Sequence, residues 1–321
     1  MFGLDHPVMS APMALHSGGT LAGAVSAAGA LGAFGGIHPT KGPEWIHAEF
    51  ARMRAITDRP SGVGFITSFI EPMRHLFDSA LAEQPTVVAL SFGDPRPWLG
   101  QAKASGAAVV CQVQNLTDAD VAVEAGTDVL VAQGNSAGGH TGTMGMLPLL
   151  TALVDRHPGV PVLAAGGIGN GRALAAALAA GADGAWVGTA LLATPEAVEV
   201  HDLHKELIVE SDGTDTVFTT AYDIVSGLPW PEGIGERVRR NRFTDQWEGR
   251  EVELQMRRDE FTRSPETNPF EQPPDPETDS VLYGESAGAV TAIRPAAEVV
   301  RTMCDEAEAL LRERPPALLG D

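Results

Sequence analysis

The sequence predicts an α/β protein built as a (β/α)8 barrel, a TIM barrel, with a helical insertion or cap before its C-terminal helix. Eight short apolar runs alternate with helix-length segments through the first two thirds of the chain. The runs are continuously apolar, which is typical of parallel strands covered on both faces. A chain of 321 residues with 44% hydrophobic content is also long enough for a barrel of roughly 250 residues.

The eight strands are predicted, in chain order, at 8–11, 31–34, 62–66, 86–90, 108–111, 129–132, 161–164 and 184–187. Helical patterns lie between them. One helix is expected to begin with Thr117 as its N-cap and to end at Gly126. An alanine-rich helix between Gly169 and Gly181 has small side chains that allow close packing on the barrel. Eight strand–helix units favour a barrel over an open doubly wound sheet.

The alternation of strands and helices stops near residue 205. We therefore expect a barrel domain at 1–205, a helical insertion with an extended linker at 206–282, and a C-terminal segment at 283–321 that packs back on the barrel. An Arg-rich helix is expected around 237–242, and a Pro-, Glu-, Asp- and Thr-rich tract ends near Asp279. A final helix is predicted at 296–312, with a buried stripe formed by Val299, Val300, Met303, Ala307, Leu310 and Leu311.

Charge and cysteine content narrow the class of protein. The net charge of −20 argues against a nucleic-acid partner, because phosphate contacts need clustered Lys and Arg. No basic leader and no apolar run of about 18 residues appears, so we expect neither targeting nor a membrane span. Cys111 and Cys304 make neither a disulfide framework nor a metal spacing, which indicates reduced thiols in the cytoplasm.

Glycine-rich loops follow the last two predicted barrel strands. One reads Ala165-Gly166-Gly167-Ile168-Gly169, and the other is Gly188-Thr189. Barrels often hold phosphate on these two loops, where bare glycines let backbone N–H groups approach its oxygens. The letters do not form G-x-G-x-x-G or a P-loop. Tight turns without a ligand are the alternative, but two such loops favour a phosphorylated ligand.

The stretch VAQGNSAGGHTG at 131–142 supports two different interpretations. GNSAG fits the nucleophile elbow of serine hydrolases, but an elbow needs a helix that starts at Ser136, and the glycines that follow would make a poor helix. A second such pattern at Ser286 has no histidine after it. His140 can instead act as a proton acceptor at the end of the sixth strand, where Gln133 could hydrogen-bond a heterocycle.

Two smaller signals receive structural interpretations. His201 and His204 have helical spacing, with Glu206 close by, but no third ligand completes a recognised metal-binding pattern. We therefore interpret these residues as a solvated helix face. Trp230 and Trp247 either wall a pocket or pack in the core of the insertion.

Taken together, these residues resemble the nitronate monooxygenase family, also called the 2-nitropropane dioxygenase-like flavoproteins. The resemblance covers about residues 5–200 and 283–312. It is carried by PVMSAPMA at 7–14, GGTLAGAVS at 18–26, the run from Gln133 to Gly142, AAGGI at 164–168, GADG at 181–184 with Gly188-Thr189, and YGESAG at 283–288.

The resemblance implies a barrel that holds FMN without a covalent bond, so that 1–205 is the FMN-binding domain. Met13 would lie by the flavin ring, Gln133 and Gly138 would contact the cofactor, and Gly167, Gly188 and Thr189 would bind its phosphate. Gly64 also belongs to the cofactor site, although members often have asparagine there, so one expected contact is lost.

The family's activity implies that His140 is the catalytic base, which removes a proton from a nitroalkane; O2 is the second substrate, and a carbonyl compound and nitrite are the products. A related activity stays open on the same barrel, the NAD(P)H-dependent reduction of quinones or enoyl thioesters. So does a non-enzymatic barrel that binds a phosphorylated ligand. A homodimer is left open, and no metal is expected.

Overall fold

Eight parallel strands close into a barrel in the computed structural model, which describes residues 1–261 and 273–319. The barrel strands follow one another around the sheet in the order β1-β9-β8-β6-β5-β4-β3-β2. A bridge between Met9 and Leu31 joins the two outermost strands, and Ser10 N donates to Leu31 O at 2.9 Å. These strands are β1 (Val8–Ser10), β2 (Gly32–Gly35), β3 (Ser61–Ile66), β4 (Val87–Ser91), β5 (Ala108–Val113), β6 (Val129–Gln133), β8 (Val162–Ala165) and β9 (Gly184–Val187). The predicted TIM barrel is confirmed.

Helices follow the barrel strands and cover the outside of the sheet. They are α1 (Gly19–Ala27), α2 (Pro43–Ile56), α3 (Arg74–Ala82), α4 (Arg96–Ala104), α5 (Leu116–Glu124), α6 (Met146–Arg156), α7 (Gly171–Ala179) and the short α8 (Thr189–Leu192). The cap of α5 is Asn115, whose Oδ1 accepts from Asp118 N at 2.9 Å, so the predicted cap at Thr117 is wrong by two residues. Asn115 wins because its short side chain reaches the third N–H of the helix.

The barrel interior is filled by side chains. Met9, Leu31, Val131 and Trp186 pack within it with other apolar residues. Gly64 faces Pro12, and a Cβ on Gly64 would lie 2.2 Å from Pro12 Cγ. Glycine is therefore required at this position because the loop after β1 occupies the space of a side chain.

The segment after the barrel forms a small antiparallel sheet. β10 (Thr216–Thr219) pairs with β11 (Gly235–Arg239), and β11 pairs with β7 (Gly139–Thr141), which belongs to the loop after β6. The Arg-rich helix expected around 237–242 is therefore wrong. Val238 is fully buried between flanking arginines, and pairing with two neighbours satisfies the strand's backbone.

Helices complete this segment. They are α9 (Asp202–Glu210), α10 (Ala221–Ser226), α11 (Arg242–Trp247) and α12 (Glu251–Met256). Trp247 is fully buried in a cluster with Ala221 and Leu254. Most of the proline- and acid-rich tract, at 262–272, lies outside the described residues.

The C-terminal helix α13 (Ala296–Leu319) packs against α7. Gly171 permits the contact, because a Cβ there would lie 2.5 Å from Met303 O, and Gly171 N donates to Glu306 Oε2 at 2.9 Å. The predicted stripe is buried from Val299 to Ala307, while Leu310 and Leu311 are partly buried. Across the described residues, every helix is too short or too polar to span a bilayer.

Candidate functional site

Three loops at the carboxyl end of the barrel converge with the segment that follows Leu282. The loops follow β6, β8 and β9. Gly284 N donates to the Thr189 hydroxyl oxygen at 3.0 Å, and Glu285 N donates to Ser136 O at 3.1 Å. The sequence-predicted residues of all three loops are therefore brought to one place, where parallel barrels carry their active sites.

The loop after β8 presents backbone donors. Gly166 and Gly167 have φ angles of +94° and +76°, a conformation that side-chain-bearing residues rarely adopt. Within the described ranges, neither amide donates to a backbone carbonyl. A Cβ on Gly167 would lie 3.0 Å from Ser136 Oγ, so the loop is lined closely on one side. Free N–H groups in a glycine loop suit an anion such as phosphate.

Gly188 and Thr189 stand next to this loop at the start of α8, whose first N–H groups have no partner within the helix. The Thr189 oxygen already accepts from Gly284, so its own O–H remains a donor. A Cβ on Gly188 would be 3.4 Å from Met13 Sδ, which places Met13 beside this corner of the site. The residues predicted from two distant loops are thus neighbours.

Gly138 directly contacts the chain from Leu282 onward, which is called the closing segment. A Cβ at this position would lie 2.4 Å from both Gly284 N and the Tyr283 carbonyl carbon. Tyr283 is itself fully buried, and its hydroxyl donates to Asp215 Oδ2 at 2.7 Å. The glycine is needed so that the loop after β6 and the C-terminal segment can meet backbone to backbone.

Gln133 ends β6 within a chain of polar side chains. Its amide nitrogen donates to His140 O at 3.0 Å, and its oxygen accepts from Gln114 Nε2 at 2.8 Å. The Gln133 side chain is buried. These bonds hold the loop after β6 against the barrel, so that Gln133 supports the position of His140.

His140 forms an ion-pair contact with a residue of the later segment. Its Nε2 lies 2.7 Å from Asp223 Oδ1 on α10, and the two side chains are 18% and 13% exposed. A carboxylate can only accept a hydrogen bond, so the proton of the neutral imidazole resides on Nε2. Nδ1 is then the basic nitrogen, and the carboxylate stabilises the imidazolium that forms when Nδ1 is protonated.

A second carboxyl group, Glu236 on β11, lies close to this pair. Glu236 is directly opposite His140 in the β7–β11 ladder, and its Oε2 accepts from Ser280 Oγ at 3.0 Å. The pKa of Glu236 is raised to about 7, chiefly by burial and also by the charge of Asp223, while His140 and the Ser280 hydroxyl act in the opposite direction. The site thus combines one histidine with two carboxyl groups of different environment.

Trp230 covers one face of the His140 ring. The ring centroids are 3.5 Å apart with an interplanar angle of 13°, and Phe69 and Phe92 pack edge-on against the indole at 5.1 Å and 5.4 Å. Trp230 Nε1 is buried and, among the described residues, finds no acceptor. Trp230 therefore packs over the His140 ring, while Trp247 is a core residue of the insertion.

The hydrolase and metal interpretations find no support here. Ser136 lies in a turn that leads to β7 instead of starting a helix, so it is not on an elbow. No group of three metal-ligating side chains is present in 1–261 and 273–319.

The solvated face expected for His204 is wrong. Its ring is 5% exposed, Nε2 bonds Leu282 O at 2.9 Å, and the ring meets His16 edge-on at 5.6 Å. Burial lowers the pKa of His204 to about 3, with His16 contributing in the same direction. Apolar surroundings from the closing segment, which the helical spacing does not reveal, account for the difference.

Asp223 and Glu236 are site residues that the sequence pattern did not predict. Asp223 is 83 positions away from His140, and its neighbours show only an amphipathic helix. A strand pattern at 235–239 would have placed Glu236 beside a buried valine, but the arginines obscured that alternation. The pairing of β11 with β7 brings Glu236 to the histidine, and the position of α10 brings Asp223 to it.

Comparison with known sequences gives consistent matches. The nitronate monooxygenase family pattern matches residues 71–306. The nitronate monooxygenase npaC of Metarhizium robertsii is 32% identical over 345 residues, which covers 95% of this chain and 91% of the relative. A (3aS,4S,5R,7aS)-5-hydroxy-7a-methyl-1-oxo-octahydro-1H-indene-4-carboxyl-CoA dehydrogenase of Mycobacterium tuberculosis is 30% identical over 231 residues, 71% of this chain.

Two of the relatives are matched over less than two thirds of their length. The match covers 63% of the CoA dehydrogenase and 50% of Rv1533 of Mycobacterium tuberculosis, which is 35% identical over 197 residues.

Among solved structures, FabK from Thermotoga maritima superimposes with a TM-score of 0.84 and 29% identity, covering 98% of this chain and 97% of FabK. Nitroalkane oxidase from Streptomyces ansochromogenes gives 0.75 and 26%, covering 98% of each chain.

The chain folds as a TIM barrel whose candidate site lies at the carboxyl end of the strands. The chain belongs to the nitronate monooxygenase family.

Proposed function

We propose that the protein is an FMN-dependent nitronate monooxygenase, which oxidises alkyl nitronates, and nitroalkanes through them, with O2 to a carbonyl compound and nitrite. The observation that carries the proposal is the His140–Asp223 pair, set beside the glycine loops at the barrel mouth. A base next to an anion cradle matches what the reaction and the cofactor each require.

The residues present suit the phosphate of FMN. Gly166 and Gly167 offer amides with no backbone acceptor among the described residues, and Thr189 offers a hydroxyl donor. Gly188, Gly138, Met13, Gln133 and Gly64 border the same region and are proposed to contact the remainder of the cofactor. When bound, FMN accepts electrons from the organic substrate and passes them to O2.

The part played by the protein is proton transfer and exclusion of water. His140 Nδ1 takes the proton from the carbon next to the nitro group, and the C–H electron pair moves into the nitro group, which yields the nitronate. Asp223 holds the imidazole by Nε2 and stabilises its positive charge. Trp230, Phe69 and Phe92 form an apolar cover in which this charge interaction is strengthened by the absence of water.

Replacing the base separates the two substrate forms. His140→Ala should lower kcat/KM for a neutral nitroalkane by about 10²–10⁴-fold, the usual contribution of a general base. The preformed nitronate should suffer much less, because its proton is already gone. His75→Ala, at an exposed histidine, is the matched control.

Bound flavin is measured by its absorbance in each variant, so that loss of cofactor is not mistaken for loss of the base. Equal activity of His140→Ala and parent on the neutral substrate would contradict the role of His140.

A second candidate function is the NAD(P)H-dependent reduction of enoyl thioesters or quinones on the same cofactor site. It is favoured by the overlay with FabK at a TM-score of 0.84 and by the relative named as a carboxyl-CoA dehydrogenase. Anaerobic mixing of the holoenzyme with NADH, NADPH or a nitronate distinguishes the two. Rapid bleaching of the flavin by a pyridine nucleotide, with none by nitronate, would replace the monooxygenase proposal.

We also propose that the chain is organised as a barrel domain at 1–205, an insertion at 206–282 and a C-terminal segment at 283–321. A homodimer is the assembly to be tested, by sedimentation. The proposed location is the cytoplasm. Cys111 and Cys304 are buried, and burial raises the pKa of each thiol to about 11. Both therefore stay protonated, unreactive thiols, consistent with a reducing compartment.

A further inference from the structure

Glu236 is a buried carboxyl group that the proposed reaction does not yet use. It lies opposite His140 in an antiparallel ladder, where facing residues project their side chains to the same side of the sheet. Asp223 reaches His140 from α10, on a different element. Three titratable side chains from β7, β11 and α10 therefore meet in one buried place.

One oxygen in this cluster is unsatisfied. Asp223 Oδ1 contacts His140, but Asp223 Oδ2 is buried and has no hydrogen-bond donor in the part of the chain that the structure describes. A buried acceptor without a partner is unfavourable by about 1–3 kcal/mol. A proton on the neighbouring Glu236 carboxyl group would provide such a donor without a change of backbone.

The surroundings of Glu236 favour its protonated form. The side chain is 4% exposed, and this burial disfavours the ionised form more than the hydrogen bond donated by the Ser280 hydroxyl favours it. On β10 the facing residue is the uncharged Thr219, and the adjacent Arg237 is directed to Asn135 O. The charged or titratable groups that act on Glu236 are therefore His140 and Asp223, and two carboxylates in one buried site resist joint ionisation.

We propose that Glu236 is a positioning residue for His140: its buried carboxyl shares a single proton with the Asp223 carboxylate and so keeps only one negative charge beside the imidazole. This inference rests on the proposed role of His140 as base. With Glu236 neutral, one carboxylate balances the imidazolium. With Glu236 ionised, two carboxylates would bind the abstracted proton more strongly and retard its release from His140.

The proposal predicts a protonated carboxyl group in the resting protein at neutral pH. Infrared spectra of the holoenzyme without substrate, taken from about pH 5 to about pH 9, should show a carboxylic acid band that disappears near pH 7. The band should be absent in Glu236→Gln and present in Glu232→Gln, which removes an exposed carboxylate from the same segment. An unchanged band in Glu236→Gln would overturn the proposal.

The pH profile of turnover supplies a readout that a merely structural role would not move. In the parent and in Glu232→Gln, kcat for a neutral nitroalkane should fall as pH rises through about 7, because ionised Glu236 retards proton release from His140. This step should be lost in Glu236→Gln, whatever the absolute rate of that variant. A step that persists in Glu236→Gln would contradict the proposal. Asp223→Asn provides a second test, because removing its charge should shift the infrared band to lower pH by about one unit.

Failure of this inference and failure of the proposed function are distinguishable. The infrared band is measured without substrate, so it reports on Glu236 whatever reaction the enzyme performs. A band assigned to Glu236 together with no turnover of nitroalkane or nitronate would reject the function and retain the shared proton.

Discussion

Acid should destabilise this fold through His204, a buried histidine that the proposed reaction does not use. Its pKa is about 3 in the folded chain, chiefly because burial penalises the charged ring, against about 6.5 in an unfolded chain. His16, whose pKa burial also lowers, packs against it and acts in the same direction. Because both folded pKa values are depressed, the unfolded state binds protons first, and stability is lost as pH falls below about 6.5.

The size of the loss follows from the pKa difference. About 3.5 units at 1.36 kcal/mol per unit give a full effect of about 5 kcal/mol, reached only near pH 3. At pH 5 the same linkage gives a loss of about 2 kcal/mol relative to pH 8. Glu236 acts in the opposite sense, since its raised pKa lowers stability as pH rises from about 4.5 to about 7.

Urea unfolding followed by tryptophan fluorescence measures the effect, with the free energy of unfolding extrapolated at several pH values. His204→Gln keeps an amide that can donate to Leu282 O but cannot titrate. Between about pH 8 and about pH 5, the parent should lose about 2 kcal/mol more than this variant. The contribution of Glu236 is common to both and cancels. His75→Gln is the control, and equal pH dependence in parent and His204→Gln would refute the reasoning.

Two further substitutions test contacts at the site. Trp230→Phe keeps an aromatic ring over His140 but removes the indole N–H, which has no acceptor among the described residues. If that N–H binds a substrate oxygen, KM should rise about tenfold while kcat changes little. Steady-state kinetics that show an unchanged KM would exclude that contact. Gly138→Ala places a Cβ 2.4 Å from backbone atoms of the closing segment, so it should lower the free energy of unfolding by about 1–3 kcal/mol, as followed by thermal unfolding. Gly159→Ala is the control, because open space surrounds Gly159. Equal melting temperatures of the two variants would contradict the close approach at Gly138.

The barrel could be predicted because its strands are buried on both faces. Each run of apolar residues at 62–66, 129–132 or 184–187 carries that information within a few residues. The glycine loop after β8 was also predictable from local chemistry, since the positive φ angles of Gly166 and Gly167 favour glycine. Local chemistry determines local structure in these cases.

The insertion was less predictable because its structure depends on pairing. The arginines at 237 and 239 suggested a solvated helix, yet β7 and β10 on either side make the segment a strand and bury Val238. His204 likewise occupies a helical position of ordinary appearance, and only the closing segment makes it buried. In both places tertiary contacts override the local preference.

The amino-acid sequence by itself determined the eight-stranded barrel, the glycine loops and the position of His140 in the loop after β6, because neighbouring residues determine burial periodicity and backbone geometry. The tertiary structure alone decided that Asp223 bonds His140, that Glu236 shares its site and that Trp230 covers its ring. These partners lie about 80 to 100 positions along the chain from His140. Their proximity results from folding of the insertion over the barrel, a long-range event that no local pattern encodes.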